Sequence, residues 1–104
     1  MSLNKRLMSS QPAPFVASEN FKVVTYTGNS GTQAITGVGF KPDLVWFKSR
    51  TSGNSQNWTD STRGAGKLIF TNNTDAEYDA SAKFTSFDAD GFTLSGSDNY
   101  LNNS

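Results

Sequence analysis

Arg63-Gly64-Ala65-Gly66-Lys67 is the run nearest to a phosphate-binding loop, in which backbone N–H groups and a lysine cradle the phosphate. The spacing fails at both ends. Ser61 stands where the first glycine belongs, and Leu68 where a magnesium-binding Ser or Thr belongs. The run therefore reads as a turn between strands. Asp88, Asp90 and the group Asp75, Glu77 and Asp79 offer oxygens to a hard cation. A calcium loop needs six or more converging oxygens, a glycine bend and a closing carboxylate. Asp88-Ala89-Asp90-Gly91 is too short for that and reads as a turn. Glycoside hydrolysis needs two facing carboxylic groups, and Glu77, the one glutamate beyond residue 20, falls in a polar loop. Neither cysteine nor histidine occurs, which removes thiolate chemistry, disulfides, the commonest metal ligand and the usual base near neutral pH. We expect no catalytic site, no cofactor and no metal.

Five aromatic side chains, Tyr26, Trp46, Trp58, Tyr78 and Tyr100, have the flat faces that stack on sugar rings. Trp46 lies between Val45 and Phe47 and reads as core. Trp58 and Tyr78 border polar stretches and are the candidates for glycan contact. Asn57-Trp58-Thr59, Asn72-Asn73-Thr74 and Asn102-Asn103-Ser104 have the spacing of glycosylation acceptors, which carries weight only in a host that glycosylates them.

These side chains have to be held by a small fold. A chain of 104 residues fits one domain with a modest core. Eight Phe, many hydroxyl and amide side chains and few strong helix formers point to β structure. Formal charge sums to +0, with acids gathered after residue 71 and cations before it. No dense basic stripe suits nucleic acid. No apolar run is long enough to span a membrane, and the N-terminus lacks the apolar centre of a secretory signal.

Residues 1–20 read as an arm. Leu3, Leu7 and Met8 suit one amphipathic helical turn, and Gln11-Pro12-Ala13-Pro14 enforces an extended stretch. Leu3, Leu7, Met8, Phe15 and Val16 are the apolar handles through which an arm would dock. From residue 21 the pattern is β. Residues 21–27 and 32–36 read as a hairpin around Gly28-Asn29-Ser30-Gly31. Residues 43–48 read as a central strand, apolar on both faces. Strands follow at 57–60 and 67–71, then a polar excursion over 72–83 with a helical turn at Ala76–Tyr78. The pair 84–87 and 92–94 forms a hairpin around Asp88-Ala89-Asp90-Gly91. The expected fold is all-β, an antiparallel sandwich of jelly-roll type over residues 21–104 with an extended N-terminal arm over 1–20.

Several strings in this order resemble a β-rich domain of marine and cyanobacterial phage tail-fibre and tail-associated proteins. They are Phe21-Lys22-Val23-Val24-Thr25-Tyr26-Thr27-Gly28-Asn29, the run Gln33 to Trp46, Ser61-Thr62-Arg63-Gly64-Ala65, and the run Thr85 to Leu94. The resemblance spans about residues 19–98. It implies a virion role with no defined catalytic site, so no functional residue is carried over. The expected part is a tail fibre attached to the particle through its arm, with a capsid decoration protein or a binding module for host surface glycans as alternatives. The implied partners are other virion proteins and further copies of the chain, a trimer being favoured, and the implied location is the virion, assembled in the host cytoplasm. Domains of that kind continue past the Asn/Ser-rich stretch into another apolar strand. The resemblance therefore implies an edge here that a neighbouring subunit pairs with, or a longer fibre chain.

Overall fold

A computed structural model describes residues 14–104. The alternation of inward and outward side chains gives seven strands: β1 (Gln33–Ile35), β2 (Leu44–Phe47), β3 (Asn57–Asp60), β4 (Lys67–Phe70), β5 (Tyr78–Asp79), β6 (Phe84–Asp88) and β7 (Gly91–Leu94). They form two antiparallel sheets, in the orders β1-β7-β6 and β2-β3-β4-β5. The four-stranded sheet is a meander inserted between β1 and the β6–β7 hairpin. Inward residues of both sheets meet in one core of Ile35, Phe47, Leu68, Ala80, Phe84, Phe92, Leu94 and Leu101. Phe47 of one sheet packs edge-on against Phe84 and Phe92 of the other, at centroid distances of 6.0 and 5.5 Å. Fully burying a side chain such as Phe84, Leu68 or Leu94 contributes about 1.5–3 kcal/mol. The expected all-β sandwich is the observed architecture.

Four local expectations are corrected. Residues 21–27 do not form a hairpin with residues 32–36; they make no ladder, and β1 pairs with β7 instead. β2 is an edge strand rather than a central one, and only one face of its sheet is covered, so its side chains alternate between Phe47 inside and Trp46 outside. Trp46 is accordingly 59% exposed and not part of the core. The helical turn expected at Ala76–Tyr78 is replaced by β5, because Tyr78 and Asp79 pair with Leu68 and Lys67 on β4. Of the arm, Leu3, Leu7 and Met8 lie outside the described residues. Residues 14–20 are exposed and hold one 3-10 turn, Ala17–Glu19, closed by Asn20 Nδ2 donating to the Val16 carbonyl at 2.8 Å.

The β6–β7 hairpin forms as expected, but its glycine acts through size. Gly91 is the first residue of β7, and a Cβ there would lie 1.8 Å from the Ile35 carbonyl oxygen. Absence of a side chain lets β1 approach β7, so Gly91→Ala is expected to destabilise the fold by at least about 1 kcal/mol in urea unfolding. Asn57 presents a different cost. It is fully buried on β3, and neither its Nδ2 nor its Oδ1 has a hydrogen-bond partner. An orphaned buried polar group costs about 1–3 kcal/mol, whereas an apolar group of similar shape avoids that cost. Asn57→Leu is therefore expected to raise the urea midpoint.

Candidate functional site

The Arg63–Lys67 run is a turn whose cations are already engaged. Gly64 and Gly66 have φ of 111° and 82°, in the left-handed region that favours glycine. The buried Thr59 hydroxyl accepts from Gly66 N at 3.0 Å and donates to the Gly64 carbonyl at 3.3 Å, tying the turn to β3. Arg63 Nε binds Asp60 at 2.8 Å and its Nη1 binds Glu77 at 3.0 Å. Lys67 Nζ binds Asp79 at 2.9 Å. Glu77 thus holds Arg63 across the sheet, and these charges serve each other rather than a phosphate.

The hairpin carboxylates are spent in the same way. Asp88 accepts from Thr93 Oγ1 at 2.6 Å and Ser86 Oγ at 2.7 Å. Asp90 accepts from the backbone N–H groups of Gly37 and Gly39 at 2.9 and 2.6 Å, which pins the connection after β1 to the hairpin tip. Among the described residues no three metal-ligating side chains are grouped to hold an ion.

Each of these bonds favours the ionised form. The Lys67 ammonium, with the Ser81 hydroxyl and N–H behind it, holds the Asp79 carboxyl well below the usual 3.8. The Arg63 N–H and guanidinium do the same for Asp60. The Thr93 and Ser86 hydroxyls lower Asp88, and the two glycine N–H groups lower Asp90.

The outward face of the four-stranded sheet is the aromatic surface. Register partners in an antiparallel pair share a face. Trp46 of β2 and Trp58 of β3 are partners, and Trp58 is in turn the partner of Ile69 on β4. The two tryptophans therefore project from neighbouring strands on the same exposed face. The Trp46 Nε1 donates to Thr71 Oγ1 at 3.2 Å, which lays its ring across the sheet. Tyr78 is not with them. As the partner of Leu68 it lies on the inward side and packs against Phe70 and Tyr100. Trp58 and Tyr78, both expected as glycan contacts, thus lie on opposite faces, and Trp46, expected in the core, lies on the face of Trp58. The structure joins the tryptophans and sets the tyrosine apart. The signal was the two-residue period: Trp46 is one residue from the inward Phe47 and Trp58 one from the inward Asn57. Of the three glycosylation spacings, Asn57 and Asn102 are fully buried, leaving Asn72 exposed.

A second apolar surface begins with the exposed Phe15 and Val16 and continues to Phe21 and Val23, which are 74% and 75% exposed. A groove of 730 Å³ runs between residues 19–26 and β2, bordered by Phe21, Val23, Leu44 and Trp46 and backed by Val38 and Phe92. The arm's described handles, Phe15 and Val16, precede it in the chain.

Residues 16–104 match a protein family described as a domain of unknown function, DUF7483. No curated protein and no solved structure matches the chain.

Because the folded-state values of Asp60, Asp79, Asp88 and Asp90 lie below the unfolded value of 3.8, their contribution to stability is complete above that value. It is lost as pH falls through the folded values. Tyr26 acts at the other end: burial first, then the nearby Asp98 carboxylate, raises its phenol far above 10.0. Its contribution is complete below pH 10.0 and falls as pH rises above that. Thermal melting followed from pH 2 to 11 should show a plateau that drops below about pH 4 and above about pH 10. Asp88→Asn should flatten the acid limb without moving the alkaline one.

Proposed function

We propose that this chain, which belongs to the DUF7483 family, is a structural domain of a phage particle, a tail-fibre domain attached through its N-terminal segment. The observation that carries the reading is the exposed apolar side chain at the start of the described chain, Phe15 at 76% exposure, followed by Val16. Exposed apolar groups in succession are the kind of surface that another protein covers. Each one buried in a groove contributes about 1.5–3 kcal/mol, so a few hold an arm without covalent help. The ordered similarity of residues 19–98 to phage tail-fibre domains supports the setting. The engagement of Arg63, Lys67, Asp88 and Asp90 within turns is in keeping with a structural role. Assembly is by contact with other virion proteins and with further copies of the chain, a trimer being favoured.

The test is deletion of residues 1–18. The buried core residues, Ile35 to Leu101, all lie outside the deleted segment, so the β domain should keep its melting temperature. Particles of the phage that carries the gene should lose the protein. Quantitative mass spectrometry of purified particles then separates locations. A small number in multiples of three fits a fibre, and copies on the order of hundreds fit a capsid decoration. Undiminished incorporation after the deletion, or absence of the intact protein from particles, overturns the reading.

A second reading, a module that binds host surface glycans, is favoured by the Trp46–Trp58 pair on the exposed sheet face. In that case Trp58→Ala should abolish binding on a glycan array, while Tyr78→Ala, on the other side of the sheet, should leave it unchanged.

A further inference from the structure

Residues 22–27 have the composition and periodicity of a strand without a strand's hydrogen bonds. Val24 and Tyr26 pack on the core, while Val23 and Thr25 face outward. Among the described residues, no backbone–backbone hydrogen bond joins this segment to the fold. Gln33 Nε2 donates to the Thr27 carbonyl at 3.1 Å, and the Tyr26 hydroxyl donates to the Leu101 carbonyl, so side chains hold the segment in place. Across a gap lies the outer edge of β2, which pairs with β3 on its other side. The 730 Å³ groove adjoins a second one of 620 Å³, and residues 24–26 and 46–48 line both. The gap is thus continuous along two unpaired backbones.

Its flanks are cationic. Lys22, Lys41, Lys48 and Arg50 line it against Glu19 and Asp43. Among the described residues the cations in ion pairs are Arg63 and Lys67, on the far part of the sheet. A backbone N–H or C=O left without a partner costs free energy wherever water is excluded. One extended segment inserted here would offer its own N–H and C=O groups to both walls and lie over the exposed Val23 and Leu44.

We infer that this gap is a strand-acceptor site. It takes an extended segment of another polypeptide, apolar at alternate positions and acidic at its ends. The apolar positions follow from the strand period against the exposed Val23 and Leu44, and the acidic ends from Lys22, Lys41 and Arg50, Lys48 already donating to the Ser52 and Asn54 carbonyls. The inference is independent of the phage reading, because the geometry is the same in any assembly.

The full chain is titrated with the peptide acetyl-Glu-Val-Thr-Phe-Thr-Val-Glu-amide, and separately with the same peptide ending in lysine instead of glutamate. Amide exchange is read by NMR at residues 22–27 and 44–48. The acid-ended peptide should slow exchange at both walls by about tenfold or more. It should also bind at least about tenfold more tightly than the lysine-ended one. Arg50→Glu, at an exposed position, should shrink or reverse that preference with the circular dichroism spectrum unchanged. Three results overturn the inference. One is unchanged exchange with either peptide, and another is equal binding of both. The third is concentration-dependent dimerisation that protects the same amides without peptide, which would place a second copy in the gap.

Discussion

The side-chain amide of Asn102 joins three separate parts of the fold. An asparagine side chain has two donors and two acceptor lone pairs, and here all four are used. Its Nδ2 donates to the Gly31 and Gly96 carbonyls at 2.6 and 2.9 Å. Its Oδ1 accepts from Asn29 N at 3.1 Å and Gln33 Nε2 at 2.6 Å. One buried amide thereby fastens the C-terminal turn to the loop before β1 and to the turn after β7. Both sides of the β1–β7 pairing depend on it, and so does the seat of Leu101 in the core. Asn57, equally buried on β3, has the same capacity and uses none of it. The contrast shows that a buried amide stabilises only through the partners that the surrounding chain brings to it.

Aromatic contacts join the two sheets of the sandwich. Phe47, Phe84 and Phe92 meet across the sheets, and Phe84 and Phe92 stack at 5.4 Å within one of them. That cluster leaves the outward faces free to be something other than core. On the four-stranded sheet the freedom is taken up at one end by the Lys67–Asp79 and Arg63–Glu77 pairs. At the other end stand two tryptophans without a covering layer. Charged pairs keep a sheet face soluble, and exposed indoles do not. The exposed apolar groups Leu44, Trp46 and Trp58 of the four-stranded sheet are thus gathered on its β2 side.

The β2 edge and residues 21–27 belong to the same side. A natural sheet normally blunts its edges with charge, proline or a bulge. β2 has Pro42 before it and Lys48 after it, but Leu44 to Phe47 between them is uninterrupted apolar chain. The exposed groups Phe21, Val23, Leu44 and Trp46 therefore line one groove beside that edge.

Composition and two-residue periodicity were enough to identify the all-β class, the β6–β7 hairpin and the strands expected at 57–60 and 67–71, the latter ending at Phe70. In the hairpin and in β4 the inward residues are apolar and flanked by turn residues; β3, whose inward residues are Asn57 and Thr59, was marked instead by Trp58 and the turns on either side. The turn character of Arg63–Lys67 and Asp88–Gly91 was likewise legible, because it follows from glycine placement and from motifs that fail in register. What remained hidden depended on neighbours distant in sequence. Whether Leu44-Val45-Trp46-Phe47 is a central or an edge strand is decided by which strands lie beside it, and four consecutive apolar residues look the same in both places. Strand-like residues at 21–27 cannot reveal that no strand lies within hydrogen-bonding reach. Trp46 joins Trp58 rather than the core because antiparallel register, a tertiary quantity, pairs them on the outward face. Local chemistry determined which segments would be extended; only the packing of the two sheets decided which of their faces and edges were left open.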